Sequence, residues 1–282
     1  MTRIALVTDS TADLPTELLA VHDIKVVPLN LHIDEQTFRD QLDISTDEFH
    51  ARLNAAETVS TTSQPGVRAF RDVFRELAST HDAIVAILVS SKLSETVGTA
   101  TVAAEEVAAD IPVEIVDSFN VSLGLGFQVL HARELGSTEM GAAEIALRLR
   151  ANVDAYQLVF FVDTLDYLKR GGRVGTAATL AGSLLKLKPI LHIDEGQIVP
   201  FERARTRARA IAALDRFARS WPAVNRLGVL YSSDRADAEQ FLESLAIELP
   251  PDRVVISQIG PVVSAHVGPD VMGVCVDVSE TV

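Results

Sequence analysis

The chain reads as an α/β protein of two domains: a three-layer domain built on a parallel sheet, then a two-layer domain built on a mixed one. Three patterns carry that reading. Ile84, Val85, Ile87, Leu88 and Val89 form an apolar run, as expected of a parallel strand covered on both faces, and Ile4–Val7 and Val113–Val116 read as further short strands. Each run breaks into a polar loop and then a helical period, the rhythm of strand–helix units. After Asp154 the rhythm changes: LVFFVDT is followed by PILHIDEGQIVPF, a hairpin with Glu195 and Gly196 in its turn, which implies antiparallel pairing. The N-terminal domain is therefore placed at 1–153 and the C-terminal domain at 154–282, a division that 282 residues at 48% hydrophobic content can supply with two cores.

Taken in order, Ile4–Val7 leads into TDSTAD and a helix opening near Pro15, a residue suited to a first turn. Asp9 invites comparison with aspartyl-nucleophile phosphatases, but Thr11 stands where their second Asp belongs. Asp13 reads as a cap for the helix. Ile24–Ile33 reads as a second strand, and Ser45 with Glu48 as a capping box. In TVSTTSQPGVRAF, Ser60, Thr61, Thr62 and Ser63 precede Gln64 and Pro65, a hydroxyl-rich cap on a helix starting there. The run AIVAILVSSKLSETVGTA then breaks from strand into Ser90, Ser91 and Ser94. Alone, Ser94 reads as an N-cap; the helix it opens would aim unpaired N–H groups at a crevice that welcomes an acid group. Two such loops point to one shared polar site.

Beyond Val113–Val116, Gly124 and Gly126 lack the third glycine of a dinucleotide loop, with Val129 in its place, and read as close helix packing. Helices are expected over 122–135 and 138–152. DYLKRGG reads as a short helix with a glycine turn, and TLAGSLLKL as another helix. Further helices begin near Thr206 and Arg235, alternating with strands LGVLYS and RVVISQI. PVVSAHVGPDVMGVCVDV reads as two strands around Gly268 and Pro269, which puts His266 on an apolar strand as a structural hydrogen bonder.

Charge narrows the partners. Lys and Arg total 25 against 39 for Asp and Glu, and the formal charge of −14 argues against nucleic acid or an anionic membrane surface. No apolar run approaches a membrane span and no export signal is legible, so a soluble, cytoplasmic chain without integral membrane contact is expected. The single cysteine, Cys275, reads as a core residue, leaving no disulfide or cysteine metal site within one chain. A metal-binding carboxylate pair, a phosphate loop and an assembled triad are likewise illegible, so neither metal nor catalytic residues are assigned. Against the acidic background, Lys169, Arg170 and Arg173 cluster beside Gly171 and Gly172, a surface loop where a partner or phosphate could dock. Arg203, Arg205, Arg207 and Arg209 form a second cluster, in which Arg207 and Arg209 read as a solvated helix face.

Six motifs in register, TDSTADLP at 8–15, TTSQP at 61–65, SSKLS at 90–94, VDSFNVSLGLG at 116–126, VDTLDYLKRGGRV at 162–174 and GPVVSAHVGP at 260–269, resemble the DegV family of bacterial fatty-acid-binding proteins. The resemblance implies a non-enzymatic carrier that needs no cofactor. It would hide a long-chain fatty acid in its first domain and present the carboxyl group to a separate ATP-dependent fatty acid kinase, which makes an acyl phosphate for phospholipid synthesis. It implies that Thr62 and Ser94 hydrogen-bond the carboxyl group and that His266 closes the site from the second domain. Arg170, Arg173 and Arg205 would lie near the kinase contact. Glu95, Ser264 and Asp270 stand where the family usually carries glycine. The alternatives are a cleft enzyme of phosphoryl or acyl transfer, using Asp9 or Ser94 as nucleophile and His266 as base, and a binder of some other small acid.

Overall fold

The structure, a computed structural model, describes residues 2–55, 60–180 and 187–279. In chain order the elements are β1 (Ile4–Asp9), α1 (Thr16–Val21), β2 (Ile24–Val27), β3 (Asn30–Ile33), β4 (Gln36–Arg39), α2 (Thr46–Asn54), β5 (Ser60–Ser63), α3 (Val67–Ala78), β6 (Ala83–Leu88), α4 (Thr96–Glu106), β7 (Val113–Asp117), α5 (Leu123–Gly136) and α6 (Ala142–Ala151). There follow β8 (Tyr156–Phe161), α7 (Asp166–Arg170), β9 (Lys188–Asp194), β10 (Gln197–Ala204), α8 (Arg207–Arg219), β11 (Arg226–Tyr231), α9 (Arg235–Leu245), β12 (Val254–Gln258), α10 (Pro261–Val267) and β13 (Met272–Asp277).

Three sheets result. A parallel sheet runs β2-β1-β6-β7, and a mixed sheet runs β10-β9-β8-β13-β11-β12, parallel only between β11 and β12. The expected hairpin pairs β9 with β10 around Glu195 and Gly196, both with positive φ. The third sheet, antiparallel β4-β3-β5, departs from expectation. Ile24–Ile33 is not one strand: Pro28, which has no N–H to give a ladder, lies between β2 in the parallel sheet and β3 in the small one. Ser60–Ser63 is not a capping loop but β5, and α3 opens later than expected, after Gly66.

β6 is buried along its whole length, as its unbroken apolar run requires. α5 is the element between the sheets. Eleven of its fourteen residues are buried, and it packs against β1 and β6 on one side and β8, β11 and β13 on the other. Only near its C-terminal end, as at Arg133 and Glu134, does it reach solvent. Close packing needs its glycines: a Cβ on Gly126 would meet Ala12 O at 2.9 Å, and one on Gly228 of β11 would meet Leu123 at 2.5 Å. One continuous core thereby runs from Leu6 and Val85 to Leu158 and Cys275.

Two local readings change. PVVSAHV is a helix, α10, not a strand; Pro261 at its first position and the extended Gly260 before it are the start signal. Of TLAGSLLKL, the described residues up to Leu180 belong to a 3-10 stretch from Gly175, and 181–186 lie outside the described residues. Among the described residues no helix is long and apolar enough to cross a membrane.

Candidate functional site

The parallel strands end in loops that meet α10. Thr62 sits on β5, opposite Leu31 of β3, and its hydroxyl lies 2.7 Å from His266 Nε2 in the last turn of α10. Ser94 lies beyond β6 but does not cap α4. The capping position falls to Glu95, which makes no side-chain cap bond, and the Ser94 hydroxyl meets the Thr96 hydroxyl at 2.9 Å. Thr62, Ser94 and His266 line one cavity of roughly 800 Å³, counting its open mouth. Its walls are otherwise mostly apolar, including Leu29 of the first half and Leu158, Phe160 and Val271 of the second.

Arg173 completes the polar end. It is not a free surface cation: the turn at Gly172, with φ 69°, brings it back, where its Nε donates to Leu93 O at 3.0 Å and its Nη1 to Gly171 O at 2.6 Å. From there it lines the apolar cavity and a second, polar one of roughly 590 Å³ that shares Thr62 and His266. Arg170 lines only the second, with its guanidinium 5.0 Å from the Tyr167 ring centre. Arg205 is exposed between β10 and α8 and lines neither cavity. The Thr62–His266 bridge thus divides a polar vestibule from an apolar interior.

Burial, then the charge of Arg173, pushes His266 down to about 4, so the ring is neutral at ordinary pH. Its buried Nδ1 has no hydrogen-bond partner. Gly171 is required against it, since a Cβ there would stand 2.1 Å from that nitrogen. The pairings of the enzyme alternative do not form: His266 faces Thr62, not Ser94, and Asp9 is occupied by the Val89 and Thr11 N–H groups and the Thr11 hydroxyl. Asp13 does not cap α1, which follows Pro15 without a side-chain cap; the Asp13 carboxyl is buried. Among the described residues, no group of three or more His, Cys, Asp or Glu is arranged to hold a metal ion.

The three positions where glycine was expected are accommodated. Glu95 is exposed and outside both cavities. Ser264 is fully buried and its hydroxyl meets His50 Nε2 at 2.7 Å. Asp270 accepts from Arg207 Nη1 at 2.6 Å. Arg207 is therefore only partly solvated; it also pairs with Asp237 at 3.0 Å and lies over the Phe161 ring. Arg173 stands out in the sequence only as part of a basic cluster on a surface loop, not as a residue of the head-group site, and Tyr167 carries no site signal of its own.

Comparison with known proteins agrees with this architecture. A DegV domain-containing protein of Streptomyces coelicolor is 39% identical, with 97% of this chain and 98% of that protein covered. A DegV family protein from Thermus thermophilus, described for its fatty acid binding, superposes with a TM-score of 0.88 at 34% identity over 98% of this chain and all of that one. DegV of Bacillus subtilis, described as a fatty acid binding protein, gives a TM-score of 0.88 at 33% identity over 99% of this chain and 100% of its own. The family model described as "Uncharacterised protein, DegV family" matches residues 3–278, and the chain belongs to the DegV family.

Proposed function

We propose that this chain binds one long-chain fatty acid and presents its carboxyl group, at the Thr62–His266 bridge, to an ATP-dependent fatty acid kinase. The observation that carries the reading is the shape of the site: an apolar cavity whose polar end gathers Thr62, Ser94, His266 and Arg173. Burying about fourteen methylenes at ~0.8 kcal/mol each gives a gross gain near ~11 kcal/mol, less the cost of immobilising the ligand. Affinity then comes from the chain, and the polar groups orient the head. Hydroxyls and a guanidinium keep the carboxylate from being buried unpaired, and the neutral His266 can exchange its bond to Thr62 for one to the ligand.

In this reading residues 1–153 supply Thr62 and Ser94, and 154–282 supply His266 and Arg173. The polar vestibule outside the bridge gives a phosphoryl donor its approach to the carboxyl oxygen. Arg170 stands on the rim of that vestibule and Arg205 at a distance on the same C-terminal half, both exposed to a docking kinase. Fatty acid binding by the relatives supports the first step.

The test is native mass spectrometry of the purified protein, with denaturing extraction of what it carries. The expected result is one fatty acid per chain, lost in Thr62→Ala or Ser94→Ala, with acyl phosphate formed only when kinase and ATP are added. A protein that is empty and takes up no long-chain fatty acid overturns the proposal.

A further inference from the structure

Three carboxyl groups that the acyl site does not use lie sealed behind its wall. The segment Asp9–Leu14 separates the apolar cavity, which Thr11 and Ser122 line, from an outer crevice of roughly 660 Å³ lined by Asp9, Asp13 and Asp40. None of the three is more than 3% exposed. Asp9 is tied to Val89 and Thr11 as described. Asp13, at φ 49°, accepts from the Ser122 hydroxyl at 2.5 Å and from the Gly260 N–H at 2.9 Å, and its carbonyl accepts from Ser257. Asp40 follows β4, and neither of its oxygens closes a hydrogen bond of normal geometry, although the Ser10 hydroxyl and the Val262 N–H face it.

Among the described residues no cation pairs with this group. The charged groups that face Asp13 are Asp40 and Asp9, and Asp9 also faces Asp40. Arg39, next to Asp40 in the chain, is turned to Asp43, with its Nε and Nη2 at 2.9 and 2.8 Å from that carboxylate. Like charges buried together without a counter-ion cannot all persist, so protons take the place of the cation. In keeping with this, burial pushes Asp13 up to about 8 and Asp40 up to about 7, and raises Asp9.

The bonds that hold these groups reach α10 of the acyl site. Gly260 is the residue from which α10 starts, and α10 carries His266 at its other end. We propose that Asp9, Asp13 and Asp40 form a proton-held latch between the cavity wall and the start of α10, opened as pH rises, which sets how firmly an acyl chain is retained. The retention half rests on the acyl-binding reading above; the latch itself does not. Lifting α10 returns the carboxyls to water, where their ordinary value is 3.8. The closed state therefore binds protons that the open state releases. Opening rises about tenfold per pH unit for each such proton from about pH 4 upward and levels off above about 8. His266, held near 4, and His50, pushed down by burial, stay uncharged above pH 6.5 and do not contribute there.

The test is hydrogen exchange of the α10 amides in unliganded protein between pH 6.5 and 8.5, corrected for intrinsic exchange. It is paired with release of preloaded palmitate to acceptor vesicles. Opening is expected to rise by about tenfold or more, and release to follow it. Asp40→Asn, which mimics the protonated acid, should lessen both slopes, and Asp13→Asn, if it folds, should lessen them further. Lipid uptake with pH-independent corrected exchange overturns the latch, as does an unchanged slope in Asp40→Asn. Exchange that rises with pH in a protein that takes up no palmitate overturns the retention half together with the acyl reading.

Discussion

Substituting Gly171 by alanine tests whether the head-group end depends on the placement of one ring. The backbone permits it: Gly171 has φ −74° and ψ −6°, ordinary for any residue. The space does not. The new Cβ would stand 2.1 Å from His266 Nδ1 and 2.8 Å from its Cε1, whereas ordinary contact begins at 3.4 Å. The imidazole must shift by more than an ångström, and its 2.7 Å bond to Thr62 cannot survive a shift of that size. Losing the bond costs about 0.5–1.5 kcal/mol and overpacking about 1–3 kcal/mol, with a few tenths returned by alanine's better helix propensity. A net loss of about 1–3 kcal/mol should lower the melting temperature by roughly 2–4 °C per kcal/mol. Fatty acid loading, read by native mass spectrometry, should fall sharply. Gly172→Ala is the control, because its φ of 69° strains alanine while no atom lies within 4 Å of the added carbon. It should lose comparable stability and keep its loading. Normal loading in Gly171→Ala, or an equal loss in Gly172→Ala, refutes the role given to the ring.

The other expectations concern polar groups away from the head-group site. Ser264→Gly removes a buried partner of His50 and adds a helical glycine, and should cost about 2–3 kcal/mol by urea denaturation; Ser264→Ala should keep most of that loss, which assigns it to the hydroxyl. Asp270→Gly breaks a pair with Arg207 whose side chains are a third exposed, so the change should stay under about 1 kcal/mol, shrink in high salt and leave loading intact. Stability should fall as pH climbs from 6.5 toward 8. His266, His50, His131, His192 and His22 are all held below their ordinary 6.5, so the unfolded chain binds protons that the fold refuses, and their contribution is lost as pH drops below 6.5. The raised Asp9, Asp13 and Asp40 act in the opposite sense, withdrawing stability as pH climbs from about 4 to about 8, and they are unopposed by histidine above 6.5. Unfolding free energies that rise steadily to pH 8.5 would falsify this.

What could be read in advance follows from where each element's information resides. β1, β6 and β8 carry unbroken or nearly unbroken apolar runs because both faces are covered, and such runs are legible one at a time. β4 and β5, QTFR and STTS, have no such pattern; they are strands because β3 lies between them, and that pairing is non-local. α10 misled for another reason. PVVSAHV is seven residues buried on most sides, and periodicity does not separate a buried strand from a buried helix at that length. Thr62 and His266 stand 204 positions apart, so no local pattern could pair them. Their association came only from the family resemblance, and their bond from the fold.

The same non-local logic accounts for the residues in which this chain departs from the glycines expected of its family. A buried serine or a half-buried aspartate at 264 or 270 would be a liability alone. Each has a partner from a distant element: His50 of α2 for Ser264, and Arg207 of α8 for Asp270. Both partnerships bear on the two ends of the α10 region, one on the helix itself and one on the loop that follows it. Together with the Asp13 bond to Gly260, they clamp α10 at its start, its middle and just beyond its end. His266 therefore sits on a short helix held from three sides, which is how a seven-residue element with few turns of its own can hold a ring in place between an apolar cavity and a polar vestibule.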